Sequence, residues 1–462
     1  MDTSATSPQL PVELIHEILR LLDKSSLVAS AQVSHAWMHL SRLYLFESIT
    51  YRLRPENHKK APEGSEFLSN LLPLQELLDY IGSSPIVCGY IQHLTLTLPR
   101  QRRLKPLPLA QLWHVVLGSS PSRETDQEFC RFQTIISTLR RLPNMLTLQV
   151  DGVPFHTPGP PFDKRPVADL PVIPHLKELR IPRWWQATAG HPAHADNLLH
   201  LLCLFNEVDH LYLGPFRFLT HDSLAALINL RIHSLTFEDA QTLAPLLPLP
   251  NLWRLHTLSI PCLRPEDAPL ATKLTSLTHD NLRHVALKLH RPTAAYESPV
   301  HDFSYLRALD FASFSNIQSL SVVVSVYDVP LPSQLELVGP LARAGFYQPA
   351  YTYLTSMLPS LPHTLQGLSF TLHYFSADPL YGQFREYVPS EWTPYIIDAP
   401  MQADWSELDN VLTDRVNRGL QNVEFRDLIR PCLPVVERKH IVEALPKTWR
   451  SGVVRFSQDP RP

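Results

Sequence analysis

From residue 67 onward the chain repeats one short signature: an apolar residue, two spaces, an apolar residue, one space, an apolar residue. It reads IQHLTLTL at 91–98, PNMLTLQV at 143–150, LKELRI at 176–181, VDHLYL at 208–213 and IHSLTF at 232–237. It returns as LHTLSI at 255–260, LRHVALKL at 282–289, IQSLSVVV at 317–324, LQGLSFTL at 365–372 and LQNVEF at 420–425. Small polar residues fill the gaps: Thr95 and Thr97, Ser234 and Thr236, Thr257 and Ser259, Ser369 and Thr371. A parallel sheet covered on both faces reads as a continuous apolar run. Alternation instead predicts strands with one face in a core and one in water, as in a solenoid whose helices cover only one side. Helical spacing between the strands fits this, at Leu109–Leu117, Phe129–Leu142, Leu198–Phe205, Leu224–Leu230 and Leu335–Ala342. Asp404 to Glu407 resembles a capping box ahead of Leu408, Val411, Leu412 and Val416. The expected sheet is parallel, with strands side by side in chain order.

The first fifty residues follow a different period. Leu14, Ile15, Ile18, Leu19 and Leu22 predict one apolar stripe on a short helix that Pro11 can open. Ser25 or Ser26 can cap a second helix carrying Leu27, Val28 and Ala31. A third carries Val33, Trp37, Leu40 and Leu43. Three helices this short bury only a small core. Apolar surface left over on such a module invites a protein partner. Residues 54–66, RPENHKKAPEGSE, are polar with two prolines and a glycine and read as a loop or hinge.

Composition narrows the field. The formal charge of -3 over 462 residues excludes a general nucleic-acid binder and a polybasic membrane-surface protein. Forty-four prolines against fourteen glycines disfavour phosphate-cradling folds, which need glycine where backbone approaches ligand closely. Five scattered cysteines without CxxC spacing suit a reducing compartment. No apolar run approaches a membrane span, and the first ten residues lack signal-peptide character, so the expected location is cytoplasmic and/or nuclear.

The N-terminal residues resemble the F-box. The resemblance rests on Leu10-Pro11-x-Glu13-Leu14-Ile15-x-x-Ile18-Leu19-x-x-Leu22, Leu27, Val33-Ser34-x-x-Trp37 and Leu45-Phe46-x-x-Ile49. His35 stands where a basic residue is often found two places before the tryptophan. The resemblance implies docking on the Skp adaptor of a cullin-based ubiquitin ligase. It assigns Leu10, Pro11, Leu14, Ile15, Ile18, Leu19, Val33 and Trp37 to adaptor contact or the box core. The repeated pattern resembles the irregular leucine-rich repeats that follow an F-box in many fungal proteins. Leu211, Leu235, Leu258 and Val285 lie 24, 23 and 27 residues apart, within that repeat's usual period, although its asparagine is mostly missing. The expected architecture is therefore α/β: a three-helix F-box at 1–53, the hinge at 54–66, and a leucine-rich-repeat-like solenoid with a curved parallel sheet at 67–462.

Candidate chemistry is sparse. The sequence holds no nucleophile elbow, P-loop, dinucleotide fingerprint or HExxH zinc motif. His191, His194, Asp196, His200 and Cys203 cluster without a second ligand pair at finger spacing, so no metal and no cofactor is expected. Arg100, Arg102, Arg103 and Lys105 form a basic loop that suits a solvated turn or an import signal. Trp184, Trp185, Tyr212, Tyr387 and Trp392 are candidate target contacts, since exposed aromatics carry interface energy. The outward strand positions His93, Tyr212, Glu238, His284 and Lys288 change in charge and size along the array. The expected function is substrate recognition for a Skp–cullin–F-box ligase: no catalysis, an adaptor at one end and an unknown target protein at the other. An F-box scaffold without a role in ubiquitination, or an enzyme with a non-motif active site, are the alternatives.

Overall fold

The computed structural model describes residues 10–52, 72–97, 132–152, 173–183, 201–214, 230–238, 247, 254–260, 268–289, 309, 311–326, 353–374, 376–378, 383–385, 405–427 and 435–456. Alternation has become strands wherever it was read. They are β1 Ser48–Arg52, β2 His93–Thr97, β3 Thr147–Asp151, β4 Leu176–Arg183, β5 Glu207–Leu213, β6 Arg231–Phe237 and β7 Thr257–Ile260. β8 His284–Leu289, β9 Ser319–Val326, β10 Gly367–Tyr374, β13 Asn422–Asp427 and β14 Val454–Phe456 complete a sheet of twelve. The short β11 Ser376–Asp378 and β12 Gln383–Arg385 pair antiparallel by themselves. Within the sheet, order follows the chain, and the recorded pairings are parallel. This is the expected topology. β1 and β14 are additions to the ten strands read from the pattern.

The chain forms two compact units, Met1–Tyr212 with Phe218–Leu230, and Leu213–Arg217 with Arg231–Pro462. In the first, β2 buries Leu94 and Leu96, β3 buries Leu148 and Val150, and β4 buries Leu179 and Ile181. α4 (Leu72–Ser83), α5 (Pro85–Cys88) and α6 (Phe132–Leu139) add Leu74, Leu78, Ile81, Val87, Ile135 and Leu139. Each fully buried Leu or Ile stabilises by about 1.5–3 kcal/mol, so this row holds the unit together. The residues between them, such as Thr95, Thr97, Thr147 and Gln149, stay half-exposed.

The second unit repeats the scheme with Leu235, Leu258, Val285, Leu320, Leu368 and Val423 buried at matching register. α7 (Ala268–Thr278) buries Ala271 and Leu274, and α8 (Trp405–Asn417) buries Leu408 and Leu412. At the C-terminal end the apolar row becomes aromatic, with Phe370 and Phe425 stacked at 5.3 Å between centroids. α8 ends in a turn that needs glycine: Gly419 has φ of +115°. Leu420 N–H bonds Arg415 O at 3.0 Å and Gly419 N–H bonds Val416 O at 3.1 Å, closing the helix and aiming the chain into β13.

Side-chain donors tie the turns ahead of the strands to one another. Asn144 donates to Gly89 O at 2.7 Å, Asn316 to Asp280 O at 2.7 Å and Thr364 to Ser315 O at 3.1 Å. Each side chain thus satisfies a carbonyl in the turn before it, a group that would otherwise lack a partner. Arg415 does the same from a helix. It is buried, and its guanidinium bonds Leu361 O at 2.8 Å and Pro362 O at 2.6 Å. Burial also pulls its pKa down, mostly through lost solvation. Asp409 is buried too and accepts from Lys447 N, Thr448 N and the Thr448 hydroxyl at 3.0, 2.8 and 2.7 Å. It thereby caps α10 (Pro446–Arg450), the helix after α9 (Val435–Ala444), from 38 residues away. Among the described residues no helix is long and apolar enough to cross a membrane.

Candidate functional site: an apolar face on the N-terminal helices

Three helices precede β1: α1 Val12–Leu21, α2 Lys24–Ser30 and α3 His35–Glu47. Pro11 sits at the N-cap of α1, and its carbonyl takes the first helical bonds, from Leu14 and Ile15. α2 is capped by Asp23, whose carboxylate accepts from Ser26 N at 2.7 Å and Ser25 Oγ at 2.9 Å. These bonds, the Ser26 N–H first, hold Asp23 below its ordinary carboxylate range. The cap expected at Ser25 or Ser26 is therefore displaced; those serines donate to the cap instead. Ser34 caps α3 by accepting from Trp37 N at 3.3 Å.

The core of the module is Ile15, Leu19 and Leu27, with Leu22, Trp37, Leu40, Tyr44 and Leu45 packed partly buried against them. α1 and α3 are also clasped by a 2.8 Å hydrogen bond between His16 Nδ1 and the Tyr44 hydroxyl, with the rings edge to face. Burial, then the nearby Glu47, pushes Tyr44 above its usual pKa and keeps the hydroxyl protonated.

The single apolar stripe expected on α1 is in fact two. Ile15 and Leu19 point into the core, while Leu14, Ile18 and Leu21 recur at i, i+4 and i+7 on an open face. Ile18 keeps 39 % of its surface exposed, Leu14 51 % and Leu21 85 %. Leu10, Val12, Val28 and Val33 are exposed as well, Val33 by 68 %. Scattered surface hydrophobics are ordinary, but a helix wet along one whole apolar stripe marks an interaction surface. The residues singled out in the sequence thus divide. Ile15, Leu19 and partly Trp37 build the module; Leu10, Pro11, Leu14, Ile18 and Val33 face water. Sequence reasoning overlooked Leu21, which shares the open face and whose i+7 spacing from Leu14 was available as a signal.

Residues 7–52 match the family model of the F-box-like domain. The N-terminal module is F-box-like. The match ends at Arg52, the last residue of β1, so the F-box-like segment includes the first strand of the sheet as well as the three helices. α3 passes into β1 at Glu47–Ser48 with no loop between, where helices alone were expected. β1 pairs with β2 from Ser48↔His93 to Arg52↔Thr97, Gln92 N–H bonds Glu47 O at 2.9 Å, and Lys24 Nζ donates to Ser48 O at 3.2 Å. F-box domains generally bind Skp adaptors, and the wet stripe of α1 is a face such binding can use. No curated protein matches the chain.

Of the candidate target contacts, Tyr212 is half-buried on β5 with the Arg180 guanidinium 5.3 Å over its ring. His93 shares a 2.9 Å hydrogen bond with Thr147 and is half-buried, and His284 is exposed beside Ser319 at 2.8 Å. Trp184, Trp185, Tyr387, Trp392, the basic loop at 100–105 and most of the histidine cluster near 191–200 lie outside the described residues. Cys203, at the end of that cluster, is buried, and lost solvation pushes its thiol to about 12.

Proposed function

We propose that this protein is the substrate-recognition subunit of a Skp–cullin–F-box ubiquitin ligase, with a leucine-rich-repeat-like solenoid as its target-binding part. The observation that carries the reading is the wet apolar stripe Leu14, Ile18 and Leu21 on an F-box-like module whose own core is already complete. The chain-ordered parallel sheet with one small, polar, half-exposed face supports the second half of it. In this reading the chain makes and breaks no bonds. It raises effective concentration: the adaptor is held by the helices, a target protein by the sheet, and the target's lysines stay near a charged conjugating enzyme. The work belongs to the cytoplasm or nucleus.

The test is affinity purification of the full chain from cells treated with a proteasome inhibitor, beside a Leu14→Gln/Ile18→Gln variant. The ligase reading expects Skp adaptor, cullin and ubiquitin-modified targets with the wild type, and targets without adaptor or modification with the variant. Adaptor recovery with unmodified targets from the wild type would replace it with a scaffold.

A further inference from the structure

α3 opens at His35 and carries His39 one turn on, the i, i+4 spacing that sets two side chains on one helix face. Ser34 fixes that start. Its hydroxyl accepts from Trp37 N at 3.3 Å and its carbonyl from Met38 N at 2.8 Å, so the turn between the two histidines is already helical. Both imidazoles are exposed, and their centroids stand 4.4 Å apart with 74° between the rings.

What sets the pair apart is that its ring nitrogens are unused. The rings of His16, His93, His175, His279 and His284 are each engaged by a hydroxyl, a carbonyl or a carboxylate. His35 and His39 meet no such partner among the described residues; each ring's contact is the other ring. The first turn of α3 also carries no acidic residue, so no carboxylate of that turn competes for the rings.

Two imidazoles one helical turn apart are half of a zinc site, with the spacing that an HExxH helix uses. Nitrogens about 2.0–2.1 Å from a tetrahedral ion stand about 3.3 Å from each other. Rings with centroids 4.4 Å apart reach that separation by turning about χ2, a soft torsion for histidine. Imidazole suits zinc, copper and nickel, whereas magnesium prefers oxygen.

We propose that His35 and His39 chelate a divalent d-block cation, with water in its remaining positions, and that the ion staples the first turn of α3. Trp37 lies between the two ligands and packs partly buried against Ile15, Leu19 and Leu27, so the staple also steadies that ring. The positive end of the helix opposes a cation by about twofold to fivefold in affinity. Chelation outweighs this, because losing either ring leaves only a single surface histidine. The site stands apart from the ligase reading, since it needs neither adaptor nor target.

The experiment is calorimetric titration of Zn2+ into the full chain, with amide hydrogen exchange across residues 35–42 followed by mass spectrometry and Mg2+ as the control. The wild type is expected to bind one more equivalent of Zn2+ than His35→Gln, His39→Gln or the double variant, and those three should behave alike. Exchange across 35–42 should slow at least threefold in Zn2+, not in Mg2+, and recover when a chelator removes the metal. Equal stoichiometry in the wild type and the double variant would overturn the proposal. So would single variants that each keep half the effect, which marks two independent surface rings, or a slowing that Mg2+ reproduces or the double variant retains. Both rings are exposed, so the variants should keep the metal-free melting temperature. If one does not, exchange in the wild type decides alone: no slowing with Zn2+ refutes the staple.

Discussion

Replacing Leu14 and Ile18 together by glutamine should detach the adaptor and leave the fold intact. Fully burying a Leu or Ile side chain is worth about 1.5–3 kcal/mol. Leu14 still shows 51 % of its surface and Ile18 39 %, so docking has roughly 1 kcal/mol to gain at each and about 2 kcal/mol at both. At 1.4 kcal/mol per tenfold, the double variant should bind purified Skp adaptor roughly 30-fold more weakly. Leu19 is the matched control. It is fully buried, and Leu19→Ala should cost about 2–5 kcal/mol of stability through the cavity it leaves. Calorimetric titration with the adaptor, together with a thermal melt, reads both quantities. The reasoning fails if the double variant binds within threefold of wild type while its melt is unchanged. It fails equally if that variant melts as low as Leu19→Ala, since the open stripe would then be core.

Asp409→Ala strips three hydrogen bonds from α10 and leaves the Lys447 and Thr448 N–H groups without an acceptor, so the melting temperature should fall by an amount equal to about 2–4 kcal/mol, with Asp409→Asn recovering part of it. Arg415→Met leaves Leu361 O and Pro362 O unpaired in the interior and should destabilise by about 2–5 kcal/mol, read by urea unfolding. His256 has a folded-state pKa below its unfolded 6.5, so its neutral form belongs to the folded chain. Its contribution is complete above pH 6.5 and is lost as pH falls through the lower folded value; His256→Gln should flatten the melting-temperature profile over that window, and a profile unchanged by the substitution would refute this. Cys203, held at about 12, should resist a thiol reagent at pH 8 until denaturant is added, checked by mass mapping of the labelled peptide.

Strand positions were legible because each strand must keep one face dry, and a two-residue period survives almost any choice of side chains. β2, β7 and β9 begin two residues later than the pattern, since its first apolar position, at Ile91, Leu255 and Ile317, is buried in the turn ahead of the strand, whereas β4 begins with the pattern at Leu176 and β5 and β6 begin one residue before it. β14 was not legible: three residues are too few to show a period. β1 was hidden by its neighbours, because Leu45, Phe46 and Ile49 continue the helical spacing of α3. The two-faced nature of α1 was also hidden. Leu14 and Ile15 are equally apolar in sequence, and only the position of α3 decides which of them is covered. Long-range caps such as Asp409 on α10 leave no local trace at all.

The fusion of α3 to β1 has a consequence for how the chain is made. About forty residues separate the end of β1 from the start of β2. At 5–20 residues per second the nascent helices therefore carry an unsatisfied strand edge for roughly 2–8 s before the ribosome delivers its partner. An exposed edge of that kind is a template for wrong pairing. Once β2 arrives, each later strand of the first unit finds its neighbour already laid down, because order in the sheet is order of synthesis. The F-box-like end is thus the seed from which the sheet zips, and a stall or truncation shortly after residue 52 would release helices bearing a sticky strand.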